Sequence, residues 1–228
     1  MPPTRSVLGA PISAGAPVVT ISAIGLCVVA FIGQLASQDA LTRELILAPG
    51  WAWINPWRMV TAAFLHGSVL HLAFNMYALW VVGSFMEQLL GRSRLAALYL
   101  GSALGGNALV LVYFRLFDFP GGFAQGTLGA SGAVFGLFAA ALVAGRRLGR
   151  DIGGIATVIG INLVFSFVVA QISWQAHIGG LVTGAAMALV YIHAPRLHRR
   201  LFAWLAAGGV VALTFAVMVL TVSPWAWP

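Results

Sequence analysis

Charge is scarce in this chain, and lysine is absent. Its 228 residues carry 12 Lys+Arg, all arginine, against five Asp+Glu, and charged residues amount to 7%. A soluble domain carries about a quarter charged residues, so a polar, water-facing surface is excluded for most of the molecule. Cysteine is limited to Cys27, inside an apolar run. That excludes an intrachain disulfide and offers no thiolate cluster for a metal. The net charge of +7 is strongly basic, yet the arginines punctuate apolar runs and form no single patch. Nucleic-acid binding is therefore not the reading of this charge. No internal repeat is evident, which disfavours a secondary transporter.

What the chain has in abundance is hydrophobic sequence: 61% of residues, with a mean hydropathy of +0.96. Bilayer is the solvent that fits. Seven apolar runs are predicted to span it: Val18 to Leu35, from just after His66 to near Leu89, Leu95 to Tyr113, Ser131 to near Ala144, Ile152 to Ala170, Gln175 to Ile192, and Leu201 to Val222. The first reads as a retained anchor, although its ending near Ala36-Ser37 could mimic the cleavage site of a signal peptide. The fourth is short and follows Gly121, Gly122, Gly126 and Gly129. Irregular backbone at membrane depth needs shielding by protein, so this helix is expected at the centre. With the N-terminus inside, nine arginines fall in the cytoplasm (5, 92, 94, 146, 147, 150, 196, 199 and 200). Only Arg43, Arg58 and Arg115 fall outside, in keeping with the positive-inside tendency. The long first loop, about Gln38 to Leu65, carries Trp51, Trp53 and Trp57 and is expected at the outer interface.

Polar residues inside such runs are costly and face the bundle interior or a cavity. His66, His71 and Asn75 open the second run, Ser131 the fourth and His177 the sixth. All three runs cross from outside to inside, so these five residues share one outer layer. His71 and Asn75, four apart, share a helical face. Ser131 lies in Gly129-Ala-Ser-Gly132 at a loop-to-helix entry, where backbone N–H groups are unpaired and can stabilise an oxyanion. A histidine in reach would serve as general base. Gly180-x-x-x-Gly184 gives the sixth helix a smooth face, and packing it on the fourth brings His177 toward Ser131. Other readings of the same residues stand beside this one. Ser131 could be a helix-packing residue, and His71 and Asn75 could bond between helices. Three histidines alone suffice for zinc, though no carboxylate or cysteine joins them. Hydrolase, transporter and structural bundle all remain open at this point. His193 and His198, among arginines at the other end, read as interface residues.

In order along the chain, Trp57-Arg58, His66-x4-His71-x3-Asn75, Glu87 with Gly91, Gly129-Ala-Ser-Gly132 and Ala176-His-Ile-Gly-Gly180 with Gly184 resemble the signature of the rhomboid family of intramembrane serine proteases. The resemblance covers about Pro17 to Pro195. It implies an all-α polytopic membrane protein: a short cytoplasmic segment (1–16), a rhomboid-like six-helix catalytic core (17–195), and a basic loop with one C-terminal transmembrane helix (196–228). It implies Ser131 as nucleophile and His177 as its base, in a dyad without a carboxylate. The His71 and Asn75 side chains and the Ser131 N–H would stabilise the oxyanion. His66, Gly129, Gly132, Gly180, Gly184, Arg58 and Glu87 would support the site. Phe135 stands where many members carry a tyrosine four residues after the nucleophile; its ring can still stack on the base. Implied substrates are single- or multi-pass transmembrane proteins, cleaved near the outer face of a bacterial plasma membrane. The segment Gln171 to Gln175, with Trp174, is the expected gate. No cofactor, no metal and no nucleic acid are expected.

Overall fold

The computed structural model describes residue 6 and residues 15–117, 125–169 and 171–224. Arg5, Gly121, Gly122 and Ala170, invoked above, lie outside them. Among the described residues seven long helices follow in order: α1 (Val18–Ala36), α2 (Val69–Leu90), α3 (Arg92–Phe117), α4 (Ser131–Arg147), α5 (Gly153–Val168), α6 (Trp174–His193) and α7 (Arg199–Val222). The protein is an all-α polytopic membrane protein. Five of these helices are long and apolar enough to cross a bilayer. α4 and α5, with 17 and 16 residues, reach about 25 Å at 1.5 Å per residue, somewhat less than the ~30 Å hydrocarbon core.

Two helices run clearly past the bounds of the sequence reading. α3 begins at Arg92 and continues to Phe117, beyond the predicted Leu95 to Tyr113. α4 runs on to Arg147, past the predicted end near Ala144. In both cases hydropathy stops at a charge while the backbone stays helical into the headgroup region, where arginine stems snorkel.

Local chemistry sets the helix ends. The Ser68 hydroxyl accepts from the His71 N–H at 3.1 Å and caps α2. Gly91, with φ of 83°, breaks α2 from α3. The N-terminus of α1 is capped from another helix. The buried Glu87 carboxylate of α2 accepts from the Val19 and Thr20 N–H groups at 3.0 and 2.9 Å and from the Thr20 hydroxyl at 2.9 Å. An anion there satisfies orphan donors and meets the positive end of the helix dipole.

α4 buries eleven of its 17 residues, whereas α5 buries only Ile159 and Ser166 and α7 only Thr214, Met218 and Thr221. α4 is therefore the inner helix, and the peripheral helices show large apolar side chains such as Val29, Phe165 and Leu220 outward. Glycine makes the inner contact possible. A Cβ on Gly180 would strike the Gly132 backbone, and one on Gly184 the Gly136 backbone. α3 joins the same seam, since a Cβ on Gly106 would lie 2.6 Å from the Ala176 carbonyl oxygen. With no hydrophobic drive between helices in lipid, such close backbone packing supplies much of the association.

Candidate active site

The first loop builds the end of the bundle at which α2, α4 and α6 begin. Within it lie two short helices, Ala40–Leu45 and Arg58–Thr61. The buried Arg58 guanidinium donates to the Arg43 and Ile46 carbonyls at 2.7 and 2.9 Å. Thr61 adds a bond to the Leu45 carbonyl at 2.8 Å. This loop then holds the approach to α4. Leu47 and Thr127 exchange backbone bonds at 3.2 and 2.7 Å, and the Gly129 N–H donates to the Ala62 carbonyl at 2.9 Å. Asn107 of α3 ties the loop from below through the Met59 carbonyl at 2.8 Å.

Ser131 is thereby fixed as the first residue of α4. Gly129 precedes it at φ of +133°, a conformation that favours glycine. A Cβ there would also meet Cε1 and Nε2 of His71 at 2.9 and 3.0 Å and lie 3.5 Å from the Ser131 Oγ. The His71 ring edge and the serine hydroxyl thus border the same stretch of backbone. The first helical bond of α4 runs from the Val134 N–H to the Ala130 carbonyl at 3.0 Å, and no side chain caps the helix. The N–H groups of the first turn, that of Ser131 included, are left as donors.

His71 and Asn75 sit on one face of α2. The Gly67 N–H donates to Nδ1 of His71 through a long contact of 3.4 Å. With Nδ1 accepting, Nε2 carries the proton in the neutral ring, so His71 presents an N–H donor toward Gly129. Asn75 is buried and uses one amide hydrogen on the His71 carbonyl at 2.9 Å, leaving its second amide hydrogen to donate. His66 packs edge-on against His71 with centroids 5.0 Å apart. Burial pulls the His66 imidazole down to about 4, and the neighbouring His71 adds to the shift; the ring is neutral at pH 7.

His177 lies in the first turn of α6, buried, with the Phe135 ring stacked on it at 4.2 Å and 17°. Phe135 is four residues after Ser131 on α4, so one helix carries both the hydroxyl and the ring that holds the imidazole flat. The residues beside the two candidates also touch: a Cβ on Gly132 would lie 3.1 Å from the Ala176 carbonyl oxygen. Trp174, on the segment read as a gate, packs against Tyr113 of α3 and Phe167 of α5 with centroids at 5.2 and 5.3 Å. Among the described residues no three His, Cys, Asp or Glu side chains are grouped to hold a metal ion.

Two residues at this end escaped the sequence reading. Gln34 of α1 grips the His66 backbone from both sides, accepting its N–H at 3.0 Å and donating to its carbonyl at 3.2 Å. Ser166 of α5 lies 2.6 Å from Nδ1 of His177. Neither stands in a motif; the one signal was a polar side chain within an apolar run.

A bundle of apolar helices with a helix-entry serine, a stacked buried imidazole and N–H donors gathered at one end defines a polytopic membrane protein. The Rhomboid domain model matches residues 54–194, and the chain belongs to the rhomboid family. It is 36% identical over 174 residues to rhomboid protease GluP of Bacillus subtilis, covering 73% of this chain and 32% of the relative. It is 30% identical over 181 residues to rhomboid protease GlpG of Yersinia pestis, covering 74% and 61%. Against the mitochondrial RHOMBOID-like protein 6 of Arabidopsis thaliana the identity is 28% over 203 residues, covering 79% and 62%. The chain thus spans from about a third to under two thirds of the length of these relatives.

Proposed function

We propose that the protein is an intramembrane serine endopeptidase that cuts transmembrane proteins near the outer membrane face. Ser131 attacks the scissile carbonyl, His177 takes its proton, and an acyl-enzyme forms that water then releases. The negative oxygen of the intermediate is met by the Ser131 N–H, the His71 Nε2–H and the free Asn75 amide hydrogen. The observation that carries the reading is the Phe135–His177 stack. It puts a buried imidazole against the helix that begins with Ser131. Membership of a family whose relatives include named rhomboid proteases supports it. The test is incubation of the reconstituted protein with a single-pass substrate and mapping of the product termini by mass spectrometry. Cleavage inside the substrate's hydrophobic segment, close to its outer end, is expected; cleavage confined to soluble tails, or none, would refute it.

Asn75→Ala is expected to lower kcat roughly 100- to 1000-fold, the usual loss for one oxyanion donor, while cleavage remains measurable through the two other donors. Initial rates with folded protein check this. A rate within threefold of wild type would remove Asn75 from the oxyanion site.

The orientation completes the reading: a plasma-membrane protein of bacteria with the N-terminus inside and the end of α7 outside. The nine-to-three distribution of arginines supports it. Single cysteines placed at residues 146–150 are expected to resist an impermeant thiol reagent applied to intact cells. Their labelling from outside would invert the topology.

A further inference from the structure

We propose that Ser166 is a positioning residue that sets the tautomer of His177; the proposal rests on the protease reading for its functional consequence, and on geometry alone for the tautomer. Ser166 is buried on α5, with 2% of its surface exposed. Its Oγ makes two short contacts, each of 2.6 Å: one to Nδ1 of His177 and one to the Asn162 carbonyl oxygen a turn earlier. A hydroxyl has one proton, and a carbonyl oxygen can only accept. Both contacts are hydrogen bonds together only when Ser166 donates to Asn162 and accepts from His177. Nδ1 of His177 then carries the hydrogen and Nε2 has the free lone pair.

That assignment matters because the two nitrogens of a neutral imidazole have opposite roles, and the bond made by one decides the other. With Nδ1–H held by Ser166, Nε2 can take the Ser131 proton as the new carbon–oxygen bond forms. The resulting imidazolium keeps donating from Nδ1 to the same serine oxygen. The usual partner at this position in serine hydrolases is a carboxylate, and among the described residues none is in contact with His177. The i−4 back-bond of Ser166, common for serine in helices, substitutes for it by orienting the hydroxyl lone pair at the ring. His71 shows the converse arrangement, in which a backbone N–H onto Nδ1 puts the proton on Nε2. One site thus holds two imidazoles in opposite tautomers, one to donate and one to accept. The contact also explains why α5, which buries only two residues, buries this polar one.

The experiment combines a structural and a kinetic readout on wild type and Ser166→Ala. In protein labelled with nitrogen-15 histidine, the His177 resonances are identified by their loss in His177→Asn, and their shifts report which ring nitrogen is protonated. Wild type is expected to show His177 protonated at Nδ1. In Ser166→Ala the Nε2–H form is expected to appear, with kcat down about 10-fold, the scale of one neutral hydrogen bond, and KM unchanged. Wild-type His177 found chiefly as the Nε2–H form, or a tautomer ratio unmoved by Ser166→Ala, would overturn the proposal. If no Ser131-dependent cleavage exists, the protease reading fails, while the resonance shifts still decide whether Ser166 sets the ring.

Discussion

Ser131→Ala and His177→Ala are each expected to abolish cleavage of a transmembrane substrate, with initial rates down by about 10⁴-fold or more. In the proposed reaction Ser131 supplies the oxygen that bonds to the acyl carbon, and its neighbours His71 and Gly129 hold no second nucleophilic hydroxyl. Ser166 is not a substitute, because both its contacts are committed to His177 and Asn162. His177 is the imidazole stacked on Phe135 of α4, the helix that begins with Ser131. His66 cannot replace it, being buried behind His71 and held near pKa 4. The two losses should not add: once the pair is broken, the double variant should be no worse than either single one. Rates measured in liposomes, with folding checked by thermal melting, decide the matter. Near-wild-type turnover by well-folded His177→Ala would remove the general-base assignment.

Gly180→Ala is expected to be the most damaging single methyl group in the molecule. Its Cβ would enter the Gly132 backbone at the carbonyl, which cannot swing aside as a side chain can. α4 and α6 must separate, at a cost of about 1–3 kcal/mol, typical of overpacking. Because Ser131 and His177 ride on these two helices one residue and three residues away, activity should fall further than stability. Gly184→Ala, which meets the Gly136 backbone, should destabilise similarly and disturb the site less, being a turn further from it. Gly208→Ala on α7 has nothing within 4 Å and serves as the control, expected to leave melting temperature and rate unchanged. A Gly180→Ala variant that melts like wild type would mean the helices do not touch as described.

How much of this was legible in the sequence follows from what kind of interaction each part uses. The helices were legible because apolar runs of about 20 residues have few alternatives. The shared layer was legible because alternate helices run in the same direction, so Asn75, Ser131 and His177 had to gather at one end of the bundle. The glycine seam was legible on α6 as Gly180 and Gly184, although the matching contact of α3 through Gly106 was not. Charge hid the helix ends: α3 and α4 continue past the arginines that end their hydropathy. The resemblance named Glu87 as a supporting residue, but nothing in a sequence connects a carboxylate to N–H groups 67 and 68 residues away. Gln34 and Ser166 were invisible for the same reason. Each acts through hydrogen bonds across the bundle, Gln34 through two to the His66 backbone and Ser166 through one to His177, and a lone polar residue in an apolar helix carries no spacing that names its partner. Phe135 was legible as a ring at the right helical interval, while its 17° tilt to the imidazole required the packing of α4 on α6.

The most direct measurement of the central assignment is covalent labelling by a fluorophosphonate, which reacts only with a serine made nucleophilic by its surroundings. The purified protein in detergent should be labelled at one residue, identified as Ser131 by peptide mapping. Labelling should vanish in Ser131→Ala and fall steeply in His177→Ala, while persisting in His193→Ala, whose ring bonds to the Leu189 carbonyl at the far end of α6. Labelling that persists in folded Ser131→Ala, or that maps to another serine, would contradict Ser131 as the nucleophile.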